Sequence, residues 1–126
     1  ACGLSEAGTA RAKGGPTCLN LVGQTDLPLL AAVMQRCRAF VANDSGAMHL
    51  AAAAGVPVTA PFGPTDERAT APLSCASPSA RPHEILTCRV WCRPCMLREC
   101  PIDHRCMTGI EPEAVADAVA RQIGTP

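Results

Sequence analysis

Tyrosine is absent, and Phe40, Phe62 and Trp91 are the only aromatic residues among 126. Any core must therefore be aliphatic and alanine-rich, with thin helices packed close to their neighbours. Net charge is lacking too, because eleven Lys and Arg cancel eleven Asp and Glu. With no face of one sign implied, bulk electrostatics favours neither nucleic acid nor an anionic membrane as partner. No apolar run approaches the ~20 residues of a membrane span. A leader is not expected from residues 1–15, which lack a hydrophobic centre. The Gly-x-Gly-x-x-Gly fingerprint is missing, which argues against a dinucleotide oxidoreductase. At this length the chain is one domain at most, and small for a whole enzyme with two substrates.

What the sequence does have is a stretch that organises the rest. Ala39 to Ala42 is a short apolar run that meets Asn43-Asp44-Ser45-Gly46. Met48, Leu50 and four alanines follow, and Gly55-Val56-Pro57 closes the segment. The pattern predicts strand, tight turn, helix and glycine stop. Asp44 and Ser45 suit the turn and the helix N-cap, since their side-chain oxygens can accept first-turn amides. A helix start at the carboxyl end of a strand also directs free N–H groups into the crevice above a sheet, where phosphates bind. Simple capping is the plainer reading of the turn, and a structural histidine the plainer reading of His49.

Elsewhere the pattern alternates. Thr17 to Val22 is β-prone, and Gly23-Gln24 turns the chain. Thr25 or Asp26 can cap a helix to about Arg36, with Leu27, Leu30, Ala31 and Met34 on one face and Pro28 in the first turn. Strands are expected at 38–42 and 56–60, with a helix at 46–54 between them. Short connections of this kind imply βαβ units and a parallel sheet, buried on both faces. Prolines recur from Pro61 to Pro82, which reads as a long loop. A last helix is expected from Glu111-Pro112-Glu113 to Ile123, with Ala114, Val115, Ala118, Val119, Gln122 and Ile123 giving its period. The expected organisation is a βαβ core over 1–64, a Pro/Cys-rich loop over 65–110 and a terminal helix over 111–124.

Cysteine is abundant, at nine residues, five of them between Cys88 and Cys106. The spacing Cys92-x2-Cys95-x4-Cys100-x5-Cys106 resembles a zinc or iron–sulfur knuckle, with His104 a rival ligand. Bound metal, disulfides and free thiols in a proline-braced loop all remain open. Cys2, Cys18, Cys37 and Cys75 read as small buried hydrophobes or exposed bystanders.

Several of these segments carry a resemblance. Asn43-Asp44-Ser45-Gly46-Ala47-Met48-His49-Leu50-Ala51-Ala52-Ala53, then Gly55-Val56-Pro57-Val58 and Phe62-Gly63-Pro64-Thr65, resemble the signature of glycosyltransferase family 9, the ADP-heptose:lipopolysaccharide heptosyltransferases. Leu21-Val22-Gly23-Gln24-Thr25-Asp26-Leu27 is similar to a family segment upstream. Cys92-Arg93-Pro94-Cys95, Cys100-Pro101, His104, Cys106-Met107 and Ile110 to Val115 resemble the tail of one branch. The likeness runs from about Leu19 to about Val119.

The resemblance implies an α/β fold, the Rossmann-like carboxyl-terminal domain of a GT-B glycosyltransferase, here expected to be incomplete because the chain opens at Ala1 without methionine. It implies a donor site at Asp44, Ser45, Gly46, Ala47, Met48 and His49, with Asp44 on the donor sugar and backbone amides on the diphosphate. The implied partners are ADP-heptose, the lipopolysaccharide inner core and a missing amino-terminal domain, which holds the catalytic aspartate. A phosphate-binding lysine would precede the segment. Glu6 falls roughly where the family has an acid near the ribose, although a solvated helix glutamate is the plainer reading. No cofactor is implied for the chemistry, and the expected location is cytoplasmic, peripheral to the inner membrane. Two other classes stay open: a small Cys-rich metal-binding interaction module, and the nucleotide-binding domain of a different enzyme.

Overall fold

The central strand of the sheet, Val58–Phe62, has Val58, Thr59, Ala60 and Phe62 all inaccessible to solvent. A strand covered on both faces is what a parallel sheet between helices requires. The structure is a computed structural model that describes residues 18–73 and 81–124. Its elements are α1 (Leu27–Met34), β1 (Phe40–Val41), α2 (Gly46–Ala53), β2 (Val58–Phe62), α3 (Glu67–Thr70), β3 (Glu84–Thr87), α4 (Arg105–Thr108) and α5 (Pro112–Ile123). The chain divides into two compact units, Ala1–Leu30 and Ala31–Pro126, with the boundary inside α1.

In the second unit the strands run in the order β1-β2-β3, all parallel. Phe40 pairs with Val58 and Val41 with Thr59, while Thr59 to Phe62 pair with Glu84 to Thr87. The α/β parallel sheet flanked by helices is thus as expected. β1 is only two residues long, although Phe40 N–H also donates to Pro57 O and Ala42 N–H to Thr59 O. α2, α4 and α5 all pack against β2. Met48, Ala51 and Ala52 of α2 are buried, and their small size lets the helix lie close in a chain with almost no aromatic filler.

α2 and α5 each stop at a glycine of positive φ, as the sequence suggests at Gly55. Gly55 has φ +78°, with Gly55 N–H donating to Ala52 O and Val56 N–H to Ala51 O. That paired pattern satisfies the last carbonyls of α2. α5 opens with Pro112 at its first turn, where the missing N–H costs nothing, and Gly124 closes it at φ +75°. Gln122, counted among the apolar stripe of α5, is 3% exposed and serves as a polar clamp. Its Nε2 donates to Val58 O and Pro82 O, and its Oε1 accepts from Thr59 Oγ1.

Two expectations fail. The stretch at Leu19 forms no strand of the parallel sheet; Cys18 makes an isolated bridge and Leu21–Gln24 is a tight turn. Asn20 sets that turn: its Oδ1 accepts Val22 N–H and its backbone O accepts from Gln24 Nε2, while Gly23 takes φ +72°. The third strand is instead β3, inside the stretch that follows the proline-rich loop. That loop is also less bare than expected, because α3 lies within it, opened by Asp66 Oδ1 accepting Arg68 N–H. For α1, Asp26 is the residue that caps, accepting Leu29 N–H at 2.9 Å. Of the bystander cysteines, Cys18 and Cys37 are exposed free thiols. Cys2, Cys75 and Glu6 lie outside the described residues.

Candidate functional site

β1, β2 and β3 end on the same rim, because parallel strands bring their carboxyl ends together. The chain leaves β1 through Ala42-Asn43-Asp44-Ser45 and enters α2 at Gly46. Ser45 is the N-cap, extended at φ −161° and ψ 165°, but its hydroxyl makes no capping bond. Its carbonyl starts the helix, accepting Met48 N–H at 3.1 Å and His49 N–H at 3.5 Å. Among the described residues, the Gly46 and Ala47 amides have no protein acceptor. These two N–H groups, with the positive end of the helix behind them, are the part of the turn left open to an anion.

Asp44 does not cap either. Its Oδ2 accepts from Thr70 Oγ1 of α3 at 2.8 Å, tying the turn after β1 to the segment after β2. Asp44 lines an open cleft of about 300 Å³ with Asn43, Pro61, Gly63, Pro64, Thr65 and Met107. Among the described residues, the buried Thr65 hydroxyl has no partner. Gly63 admits no side chain as the cleft stands: an added Cβ would lie 2.6 Å from Met107 Sδ. Of the residues expected at a donor site, Asp44 is half-buried on the cleft, and Ser45, Gly46 and Ala47 form the helix mouth. His49 is exposed one turn on. Met48 is fully buried with its amide already bonded, so it serves the core.

Arg93 reaches this cleft from the cysteine-rich arm. Its Nε donates to Gly63 O at 2.6 Å, and its Nη2 to Thr65 O and to Glu67 Oε2 at 2.7 Å. The side chain is only 10% exposed. The Glu67 carboxyl is held below the usual range by its own backbone N–H and then by Arg93. A carboxyl so lowered stabilises the fold above its unfolded pKa, and that contribution fades as pH falls through the folded value. Acid should therefore loosen this clasp. Arg93→Met should lower unfolding free energy by about 1–3 kcal/mol, since it leaves the part-buried Gly63 and Thr65 carbonyls unpaired. Urea titrations of both proteins at neutral pH check it, and an unchanged midpoint would show the clasp to be idle. Gly63, Pro64, Thr65, Thr70, Arg93 and Met107 were not singled out by sequence as site residues. The carboxyl end of β2 at Gly63 was the available signal, since ligands bind beyond strand ends.

The arm itself runs from Cys88 to α4. Cys92, Cys95, Cys100 and Cys106 all line one small enclosed cavity of about 70 Å³, together with His104, Arg98 and Arg105. All four are free thiols, and Cys106 is buried. Cys100 Sγ accepts His104 N–H at 3.4 Å, and its thiol is pushed down by the backbone N–H groups of Ile102 and then His104. The cysteines reach one cavity but not one point: among the described residues, no three His, Cys, Asp or Glu side chains are grouped so as to hold a metal ion. Arg68, Arg89, Arg93 and exposed Trp91 line a wider open cleft of about 610 Å³ with Asp66 and Glu67.

Residues 4–105 match the model of glycosyltransferase family 9 (heptosyltransferase). The chain is similar to lipooligosaccharide heptosyltransferase 2 of Campylobacter jejuni subsp. jejuni serotype O:6, at 31% identity over 108 residues, 85% of this chain and 32% of that protein. Lipooligosaccharide heptosyltransferase 2 of Haemophilus ducreyi is 51% identical over 59 residues, covering 45% of this chain and 17% of its own. For lipopolysaccharide heptosyltransferase 2 of Escherichia coli K12 the figures are 46% over 57 residues, 45% and 16%. The chain thus spans about a third or less of the length of these curated relatives. No solved structure matches it.

Proposed function

The chain belongs to glycosyltransferase family 9 (heptosyltransferase), and from that premise we propose that it carries the donor half of a heptose transfer. In this reading the whole enzyme moves a heptose from ADP-heptose to the inner core of lipopolysaccharide. The observation that carries it is the position of Asp44, on a cleft at the carboxyl ends of β1 and β2 beside an open helix start. The diphosphate lies at the Gly46 and Ala47 amides and the heptose against Asp44. Transfer breaks the bond between the sugar and the diphosphate oxygen and forms one to an acceptor hydroxyl oxygen, whose proton passes to a base outside this segment. Charge grows on the departing diphosphate, so fixed amide dipoles stabilise the transition state more than the ground state.

Neither a cofactor nor a catalytic metal enters this chemistry, because the helix dipole and amides meet the leaving group. The partners are the nucleotide sugar, the inner-core acceptor and an amino-terminal domain of the same enzyme. The place of action is the cytoplasmic side of the inner membrane, where the protein sits peripherally. Among the described residues no helix is long and apolar enough to cross a membrane. ADP-heptose turnover by an enzyme carrying this segment, with and without an inner-core acceptor, tests the proposal. Acceptor-dependent ADP release is expected. Its absence, with the protein folded and both substrates present, would refute the heptose reading and leave only the family.

A further inference from the structure

We propose that the arm from Cys92 to Cys106 is a structural metal site, in which Cys92, Cys95, Cys100 and Cys106 close as thiolates on one Zn²⁺. Two independent observations meet here. The sequence places a Cys-x2-Cys turn ahead of two further cysteines, and the fold brings all four to the wall of a single small cavity. A cavity of about 70 Å³ is far too small for a nucleotide sugar. It suits one ion drawn in by its ligands, since Zn–S bonds are about 2.3 Å long.

The free thiols stand back from a common centre. Rotating a cysteine about its Cα–Cβ bond moves the sulfur by about 3 Å, so side-chain turns contribute to closure on the ion. Part of the surround is in place: Cys100 Sγ already accepts the His104 amide, the kind of N–H to sulfur bond that orients a thiolate ligand. Zn²⁺ with four thiolates carries two negative charges, and Arg98 and Arg105 line the same cavity, Arg105 sharing its charge with Asp103. Cys106 is the fourth ligand rather than His104, because Cys106 is buried and His104 is exposed.

The arm also needs a fastening. Trp91, Met96, Leu97 and Ile102 are exposed, and Cys106 is its buried apolar residue, so the segment brings little core of its own. Metal ligation supplies cross-links where apolar burial is scarce. Each thiol gives up its proton on binding, and no sulfur changes oxidation state, so the site needs no oxidant.

Elemental analysis of the reduced protein, purified without chelator, should find about one equivalent of Zn²⁺. Replacing that metal with Co²⁺ should produce thiolate-to-cobalt charge-transfer bands and the intense visible bands of a tetrahedral site. Cys92→Ser or Cys95→Ser, both half-buried positions, should abolish binding, while Cys37→Ser and His104→Ala should leave it intact. Chelation should lower the melting temperature of the wild-type protein, and added Zn²⁺ should restore it, so the reading survives even if a variant fails to fold. Wild-type protein with less than about a tenth of an equivalent of zinc or iron, and no Co²⁺ spectrum, would overturn the proposal. Equal metal in wild type and both Cys→Ser variants would overturn it as well. Neither result bears on the donor cleft.

Discussion

Asp44→Ala, in the full-length enzyme, should lower heptose transfer by roughly ten- to over a hundredfold while the fold survives. The range corresponds to losing a charged hydrogen bond of about 1.5–3 kcal/mol to the donor. From sequence alone a helix-cap role competed, and it forecasts about 1 kcal/mol of lost stability with little kinetic change. The geometry separates the two, since the carboxylate binds Thr70 Oγ1 rather than an amide of α2. Thr70→Val is the control: it removes the internal bond but leaves the carboxylate on the cleft. Thermal unfolding and ADP-heptose turnover, measured on both variants, distinguish positioning from direct contact. Gly46→Val gives a second handle, because a Cβ there meets nothing within 4 Å. The unliganded fold should tolerate it, since valine is no poorer a helix former than the glycine it replaces, so a large loss of donor affinity would come from what must approach that amide. If Asp44→Ala turned over donor at the wild-type rate, the assignment of the sugar contact would be wrong.

Gln122→Ala should destabilise the second unit by about 2–4 kcal/mol, a stability effect with no counterpart on the surface. The amide joins three acceptors and donors on two other segments: Val58 O, Pro82 O and Thr59 Oγ1. Thr59 is wholly buried, so truncation leaves its hydroxyl unpaired and out of reach of water. Thr59→Val in the same protein should recover part of the loss, because the orphaned hydroxyl goes with it. A double-mutant cycle by urea unfolding reads that coupling directly. A single-variant loss below about 1 kcal/mol would mean that water enters and satisfies the network.

α5 was legible because its signals agree: proline at the first turn and an apolar period through to Ile123. α2 was legible for the same reason, as was the α/β class that follows from alternating elements. The strand expected near Leu19 failed because Asn20 and Gly23 offer the backbone a local turn, and local side-chain bonds beat pairing with a distant strand. β3 was missed for the opposite reason. Glu-Ile-Leu-Thr is too short to show a period, and only its register with Thr59 to Phe62 makes it a strand. At the site, Asp44 and the helix mouth could be read from one local pattern. Thr70 and Arg93 could not, since each acts across more than twenty residues through a bond that sequence spacing does not encode.

The Arg93 clasp distributes mutational risk unevenly. Two of its three acceptors are main-chain carbonyls, those of Gly63 and Thr65, which every amino acid possesses. Side-chain changes at Thr65 therefore leave that grip in place, and the loop can drift in composition there, though not at Gly63, where Met107 leaves no room for a Cβ. At residue 93 no such latitude exists: lysine has one compact head group where the guanidinium spans three acceptors in a fixed fork. Robustness along the loop is thus concentrated into fragility at a single arginine thirty residues away.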